Sequence, residues 1–313
     1  MSARSKFTPL CAATQQEGGA HNLGIIVVRH KRTGKTYIEK RVKPDAVKHR
    51  HIDPEINVML RCGLQPNIVD CKDYDLACCS TGYGSVYLQH AELGSLDALI
   101  GRYARRCTGL ADESFVWKVL WDCSVGLAHL QTGRDSREIR KKAMRGEPIS
   151  WRSGWDPIVH RDLKPSNIFL TWSDSVQMGR TRHPTVLLGD FGCAVTGKQV
   201  RAGAGAPGVV PPTDGAWIPP ECPGFSDRSD VYTLGLIVMC LAARSQEPPE
   251  QNPLTSAYAS KEMIKTVKNF TEYRPRDRPC VQELPALVWR RYQSWWNGRS
   301  DDGAELPSWA LPG

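Results

Sequence analysis

The sequence predicts an α+β fold, with strands gathered in the first third of the chain and helices in the remainder. Two strand-like stretches lie early. Ile25-Ile26-Val27-Val28-Arg29-His30 is a β-branched run that follows a glycine-containing turn, and Thr36 to Val42 alternates apolar and polar residues. The later chain changes period. Phe115, Val119, Leu120, Cys123, Leu127 and Leu130 recur at helical spacing within Ser114 to Leu130, and Trp289, Tyr292 and Trp296 share one helical face suited to core packing.

Length and composition bound the reading. A chain of 313 residues with 41% hydrophobic content can bury a substantial core. The longest apolar run, Leu234 to Ala243, is too short to span a bilayer, and Met1 to Pro9 has no apolar signal core, so an intracellular protein, nuclear or cytoplasmic, with no membrane partner is expected. The 11 cysteines are odd in number and scattered, with no C-x-x-C pair, which points to reduced thiols rather than to a disulfide framework or zinc site. The net charge of +8 fits loops near an anionic ligand together with one basic segment.

In chain order, residues 1–14 lack a periodic pattern and are expected to be a frayed, disordered arm. Asp53-Pro54-Glu55-Ile56-Asn57-Val58-Met59-Leu60 reads as a helix start: Asp53 can cap free N–H groups, Pro54 suits the first helical position, and Ile56, Met59 and Leu60 share a face. Val86 to Gln89 is a further strand, and Gly94 closes the linker after it. Residues 131–155 form a basic segment, with Arg134, Arg137, Arg140, Lys141, Lys142, Arg145 and Arg152 against three acids, expected as a solvated insertion that could also recruit an acidic partner. Ser173 to Thr185 is a second, smaller insertion, Cys193 to Ile218 a loop rich in Gly, Ala and Pro, and 297–313 a polar tail with one apolar patch at Trp309-Ala310-Leu311.

The chemistry concentrates in Val159-His160-Arg161-Asp162-Leu163-Lys164-Pro165-Ser166-Asn167-Ile168-Phe169-Leu170. Pro165 removes a backbone donor and works against a helix, so the charged residues sit on an irregular loop between apolar segments. Val186-Leu187-Leu188-Gly189-Asp190-Phe191-Gly192 follows, an apolar strand ending in D-F-G, and Asp230-Val231-Tyr232-Thr233-Leu234-Gly235 matches D-V-x-x-L-G. H-R-D-L-x-x-x-N followed by D-F-G resembles the eukaryotic protein kinase superfamily, and Asn167-Ile168-Phe169-Leu170-Thr171 is most similar to its NIMA-related Ser/Thr group. The resemblance covers roughly residues 15 to 292.

The resemblance implies a two-lobed kinase fold over 15–296, with a small antiparallel β lobe and one main helix at 15–91 and a larger, mainly helical lobe at 92–296. It implies a Ser/Thr kinase that uses ATP and Mg²⁺ on a protein substrate, with Asp162 as base, Lys164 and Lys40 as phosphate-positioning cations, and Asn167 and Asp190 as metal ligands. Glu55 would pair with Lys40, although it stands at the helix start rather than mid-helix. Gly18, Gly19, Ile25, Ile38, Leu88, Gln89, Ala91 and Phe169 would complete the nucleotide site. Of the three family glycine positions only Gly18 remains, the others being Ala20 and Leu23; a plain hairpin turn there, and a pseudokinase scaffold with impaired nucleotide binding, stay open as alternatives. Glu221 is expected to pair with Arg278, and Asp230 to bind backbone donors of the loop at 160. Arg161 could receive a phosphate on the mobile loop at Thr196 or Thr213. The family's usual Thr before the end of that loop falls on Asp214, so a one-residue slip is expected to bring Thr213 to Asp162 and Lys164.

Overall fold

The computed structural model describes residues 2–12, 22–108, 112–172, 182–202, 212, 214–255, 259–299 and 303–312. A five-stranded antiparallel sheet comes first, in the order β1-β2-β3-β5-β4, from β1 (Phe7–Ala12), β2 (Asn22–His30), β3 (Thr36–Val42), β4 (Cys71–Asp75) and β5 (Gly84–Gln89). Two helices lie between β3 and β4: α1 (Pro44–Lys48) and α2 (Asp53–Cys62). Ile56, Val58 and Met59 of α2 are buried, and Gly63 ends the helix at φ 62°, a backbone conformation that glycine adopts without steric cost.

The rest is dominated by helices: α3 (Leu96–Arg105), α4 (Glu113–Thr132), α5 (Ser136–Met144), α6 (Gly197–Ala202), α7 (Asp227–Ala243), α8 (Lys261–Phe270) and α9 (Leu284–Asn297). Two small antiparallel pairs carry the loops between them: β6 (Ile158–Val159) with β9 (Val195–Thr196), and β7 (Ile168–Thr171) with β8 (Thr185–Leu188). Helix α4 is buried along almost its whole length, as an all-round apolar helix in a large core should be. The apolar run at Leu234 to Ala243 lies inside α7, and no helix among the described residues is long and apolar enough to cross a membrane.

Three sequence expectations need correction. The N-terminal arm is ordered where it is described: Ala3–Lys6 is a 3-10 turn and β1 is the edge strand of the sheet. Its signal was weak because only Phe7 of β1 is buried and because Pro9 adjoins a register shift, as an edge strand tolerates. The segment at 131–155 is not a wholly solvated insertion. It contains α5, packed on α4 and α9, with Ile139, Arg140 and Ala143 buried. Asp53 does not cap α2: it is the first helical residue, with Pro54 second, Ile52 before it makes no side-chain cap bond, and the Asp53 carboxylate pairs with Arg50 at 2.6 Å. The apolar patch of the tail docks: Ala310 is buried, Trp309 packs on Tyr103 at 4.8 Å, and Arg102 Nε donates to the Ala310 carbonyl at 2.7 Å.

Phe7 stacks on Tyr87 at 4.0 Å and joins Ala3, Val28 and Tyr87 in a small core on the outer face of the sheet, separate from the main core. Phe7→Ala should therefore destabilise the protein by about 3–5 kcal/mol, while Thr8→Ala on the exposed side of the same strand should change stability by less than about 0.5 kcal/mol. Urea titration checks both; equal midpoints for Phe7→Ala and the parent would exclude a structural role for the N-terminal segment.

Candidate functional site

The site forms where β3, α2 and the ends of β6, β7 and β8 meet. Lys40 lies on β3, paired with Ile25 on one side and Val86 on the other. Its ammonium stands 2.7 and 2.9 Å from the two oxygens of Glu55, on the first turn of α2, and 3.4 Å from Asp190 Oδ1. Glu55 thus reaches Lys40 despite its place at the helix start. Burial disfavours the Lys40 ammonium, but Asp190 and Glu55 outweigh it and hold its pKa above the ordinary lysine value. Lys40 in turn lowers the Asp190 carboxyl, against burial. Burial raises the Glu55 carboxyl against the pull of Lys40; with the ammonium on both its oxygens, the carboxylate is the form the geometry supports.

Asp190 follows β8 at φ 55°, a region that non-glycine residues seldom occupy. The preceding Gly189 is needed for space: a Cβ there would lie 2.7 Å from the Phe169 ring. Phe191 is fully buried beside His160, ring centroids 5.0 Å apart. Burial lowers the His160 pKa and keeps the ring neutral. That state suits its neighbours, since Nε2 lies 3.1 Å from the Gly189 carbonyl and Nδ1 lies 3.4 Å from the Asp162 backbone N–H.

Buried Asp230, near the start of α7, accepts the backbone N–H groups of His160 at 2.8 Å and Arg161 at 2.9 Å. Burial pushes its carboxyl up to about 7, against these two donors, which favour the anion. They hold Arg161 at φ 68° and so aim the next residue, Asp162. One Asp162 oxygen accepts from Asn167 Nδ2 at 2.9 Å and the other lies 3.2 Å from Lys164 Nζ. Asn167 Nδ2 also donates to the Asp162 carbonyl at 2.8 Å, so the group Asn167 can offer a cation is its amide oxygen.

Ile38 and Leu88 pair across β3 and β5, while Gln89 donates its N–H to the Asp70 carbonyl and the Ala91 carbonyl receives the Gly94 N–H. Phe169 lies on β7 opposite Leu187. Gly18, Gly19 and Ala20 fall outside the described residues, as does Thr213. The expected contact of a slipped Thr213 thus lies outside the described residues; among those described, Asp214 reaches Lys164 beside Asp162, its Oδ2 at 3.5 Å from Nζ. Thr196 accepts the Gln199 N–H at 3.3 Å at the start of α6, and Arg161 Nε donates to the Cys193 carbonyl at 2.7 Å.

One supporting cluster escaped the sequence reading. Asp122 on α4 accepts the Val186 N–H of β8 at 2.9 Å and pairs with Lys118 at 2.8 Å and Arg140 at 3.1 Å. Arg140 also donates to Asn67 Oδ1 at 2.6 Å, and Asn67 Nδ2 donates to the Val186 carbonyl at 3.0 Å. Both main-chain groups of Val186 are thereby held from behind the strand that presents Asp190. The available signal was a Lys and an Asp four residues apart inside an otherwise apolar helix. Arg140 comes from the basic segment, so part of that charge is structural.

The family described as protein kinase domain matches residues 22–290. Across 224 residues the chain is 28% identical to the G2-specific protein kinase nim-1 of Neurospora crassa, covering 64% of this chain and 24% of that protein. It is 31% identical over 170 residues to the G2-specific protein kinase nimA of Emericella nidulans, covering 52% and 22%. A probable serine/threonine-protein kinase, nek2 of Dictyostelium discoideum, is 24% identical over 218 residues, covering 64% and 43%. The chain thus spans less than half the length of these curated relatives.

The loop that bears Asp214 is anchored by Arg278, whose guanidinium binds both oxygens of Glu221 at 2.8 and 2.9 Å while its side chain is fully buried. Arg278→Ala strands that carboxylate and should cost about 3–5 kcal/mol. Replacing both partners by methionine should recover only part of the loss, because the guanidinium also donates to the Arg228, Glu272 and Tyr273 carbonyls, which methionine leaves unpaired. Denaturant titration of the single and double variants checks this; a loss below about 1 kcal/mol for Arg278→Ala would show that the pair does not anchor the loop.

Proposed function

The chain belongs to the protein kinase domain family, and from that premise we propose that it transfers the γ-phosphate of ATP to Ser or Thr hydroxyls of protein substrates, with Mg²⁺. The observation that carries the reading is the meeting of Lys40 and Asp190 across the two lobes, with Glu55 neutralising the lysine from α2. The donor set fits the metal. Asp190 and Asn167 offer carboxylate and amide oxygens, which suit a hard cation. Among the described residues no group of three or more His, Cys, Asp or Glu could hold a metal ion, and Mg²⁺ bound through one or two protein oxygens and substrate phosphates needs none.

Mg²⁺, when bound, supplies a Lewis acid that neutralises phosphate charge. The chain's own residues do the rest. Lys40 presents a buried cation to phosphate oxygens, held in place by Glu55. Asp162, aimed by Asn167 and Lys164, orients the acceptor hydroxyl and takes its proton. Lys164 lies beside that carboxylate and offsets charge on the transferred group. Its place two residues after the base accords with Ser/Thr rather than Tyr acceptors, as do the names of the similar proteins. The basic-segment reading narrows to Arg137, Lys141, Arg145 and Arg152, the exposed cations there, as the surface for an acidic partner.

The rival reading, a scaffold with impaired nucleotide binding, rests on Ala20, Leu23 and Ile38; the offset Glu55 weighs less toward it, since it pairs with Lys40. Purified protein should label a generic protein substrate with radioactive phosphate, and Asp162→Ala should lower the rate about 10²–10⁴-fold. Equal labelling by that variant overturns the assignment. Thermal melting separates the two readings: ATP with Mg²⁺ at 100 times its Kd should add about 2.7 kcal/mol to stability, and no shift at millimolar nucleotide would favour the scaffold.

A further inference from the structure

The ledge beside the candidate base carries a charge that the proposed chemistry does not use. Lys164 Nζ stands 3.2 Å from Asp162 Oδ1 and 3.5 Å from Asp214 Oδ2, so one ammonium lies between two carboxylates and the trio keeps one net negative charge. Asp162 is the more enclosed of the two acids. The side chain of Asp214 is 41% exposed, against 14% for Asp162, so its carboxylate faces outward to whatever chain approaches the base. The nearest loop cation in sequence, Arg161, directs its Nε to the Cys193 carbonyl.

Asp214 is also firmly placed. Its carbonyl accepts the N–H of Trp217 at 3.1 Å, and Trp217 is buried in the main core. Four residues further on, Glu221 is locked by Arg278 and by the Ser229 hydroxyl at 2.7 Å. The backbone at Asp214 is thereby anchored to the core, and its carboxylate is held on the substrate face by Lys164. Because both acids touch the same ammonium, their nearest oxygens lie no further apart than the two contact lengths together, about two residues of extended chain. A peptide that places its hydroxyl at Asp162 must bring the residues flanking that hydroxyl within reach of Asp214.

We infer that Asp214 is a specificity-determining residue that selects protein substrates with a cationic side chain, Lys or Arg, immediately beside the phosphoacceptor. This rests on the kinase reading of the site. A cation there meets a partly shielded carboxylate on an anchored backbone, whereas an acidic neighbour meets like charge near Asp162 and the phosphates, which costs affinity. Asp214 also positions Lys164 by sharing it with Asp162. A hydroxyl residue at this place would leave the trio neutral and the selection weak.

The test uses the full chain and two short fluorescent peptides, with Ala at the acceptor position and either Lys or Glu on both sides of it. Fluorescence anisotropy should show the parent protein binding the Lys-flanked peptide about tenfold more tightly, a preference that shrinks in high salt. Asp214→Asn, of the same size, should reduce the preference to about twofold or less, and Asp214→Lys should reverse it. With Ser at the acceptor position, the kcat/KM ratio for the two peptides should follow the same order, the change residing in KM. Equal binding of both peptides by the parent, or an unchanged preference in Asp214→Asn with an unchanged melting temperature, overturns the inference. If the parent discriminates between the Ala peptides yet transfers no phosphate to either Ser peptide, the selection stands and the kinase reading fails.

Discussion

The ion triad of Lys40, Glu55 and Asp190 is the constraint on which the rest of the site depends. Its members come from a strand of the sheet, the main helix beside it and the loop after β8, so closing the triad sets how the two lobes face each other. A buried ammonium is costly unless opposite charges stand close. Here two carboxylates lie within 3.4 Å and outweigh the burial. The arrangement is conditional: α2 must lie close against β3, and Asp190 must take a positive-φ backbone, for the lysine to be satisfied.

Around that triad the protein uses buried carboxylates to fix main chain rather than to do chemistry. Asp230 takes two backbone donors of the loop that precedes Asp162, and Asp122 takes one from the strand that precedes Asp190. Each acid converts a flexible connection into a single geometry, because leaving a buried N–H unpaired costs more than any alternative loop shape returns. Asp122 carries its own counter-charges, Lys118 and Arg140, while Asp230 relies on peptide donors and has its pKa pushed up to about 7. The basic segment at 131–155 thus has two faces: Arg140 turned into the molecule, and Arg137, Lys141 and Arg145 turned out.

The outer face of the five-stranded sheet has its own solution. Tyr87 and Val28 would leave an apolar patch there, and the first residues of the chain cover it with Ala3 and Phe7. Arg4 crosses to β5 and the residues beside it, donating to Ser85 Oγ and to the carbonyls of Asp75, Ala77 and Tyr83. The segment is bound by many small contacts that only the folded sheet provides.

Residue types at short range were legible in the sequence because local rules govern them. H-R-D-L-x-x-x-N, D-F-G and the lysine on an alternating strand identified Asp162, Lys164, Asn167, Asp190 and Lys40, and the structure brings these side chains together with Glu55. The helical spacing at 114–130 and the strand pattern at 36–42 likewise emerged as α4 and β3, although α4 is buried on nearly all sides and the buried residues of β3 are Glu39 and Val42. What tertiary structure alone decided were contacts between segments with no local signature. An edge strand with one buried residue looks like a loose arm, and a helix with one buried arginine looks like a solvated insertion, until the partner surface exists. Asp214 shows the same limit at the site itself: counting along the chain placed a carboxylate near Asp162, but only the packing of Trp217 and the Glu221–Arg278 pair brought it onto Lys164. Periodicity and motif spacing encode which face a residue shows; which distant group meets that face depends on burial free energy summed over the whole chain.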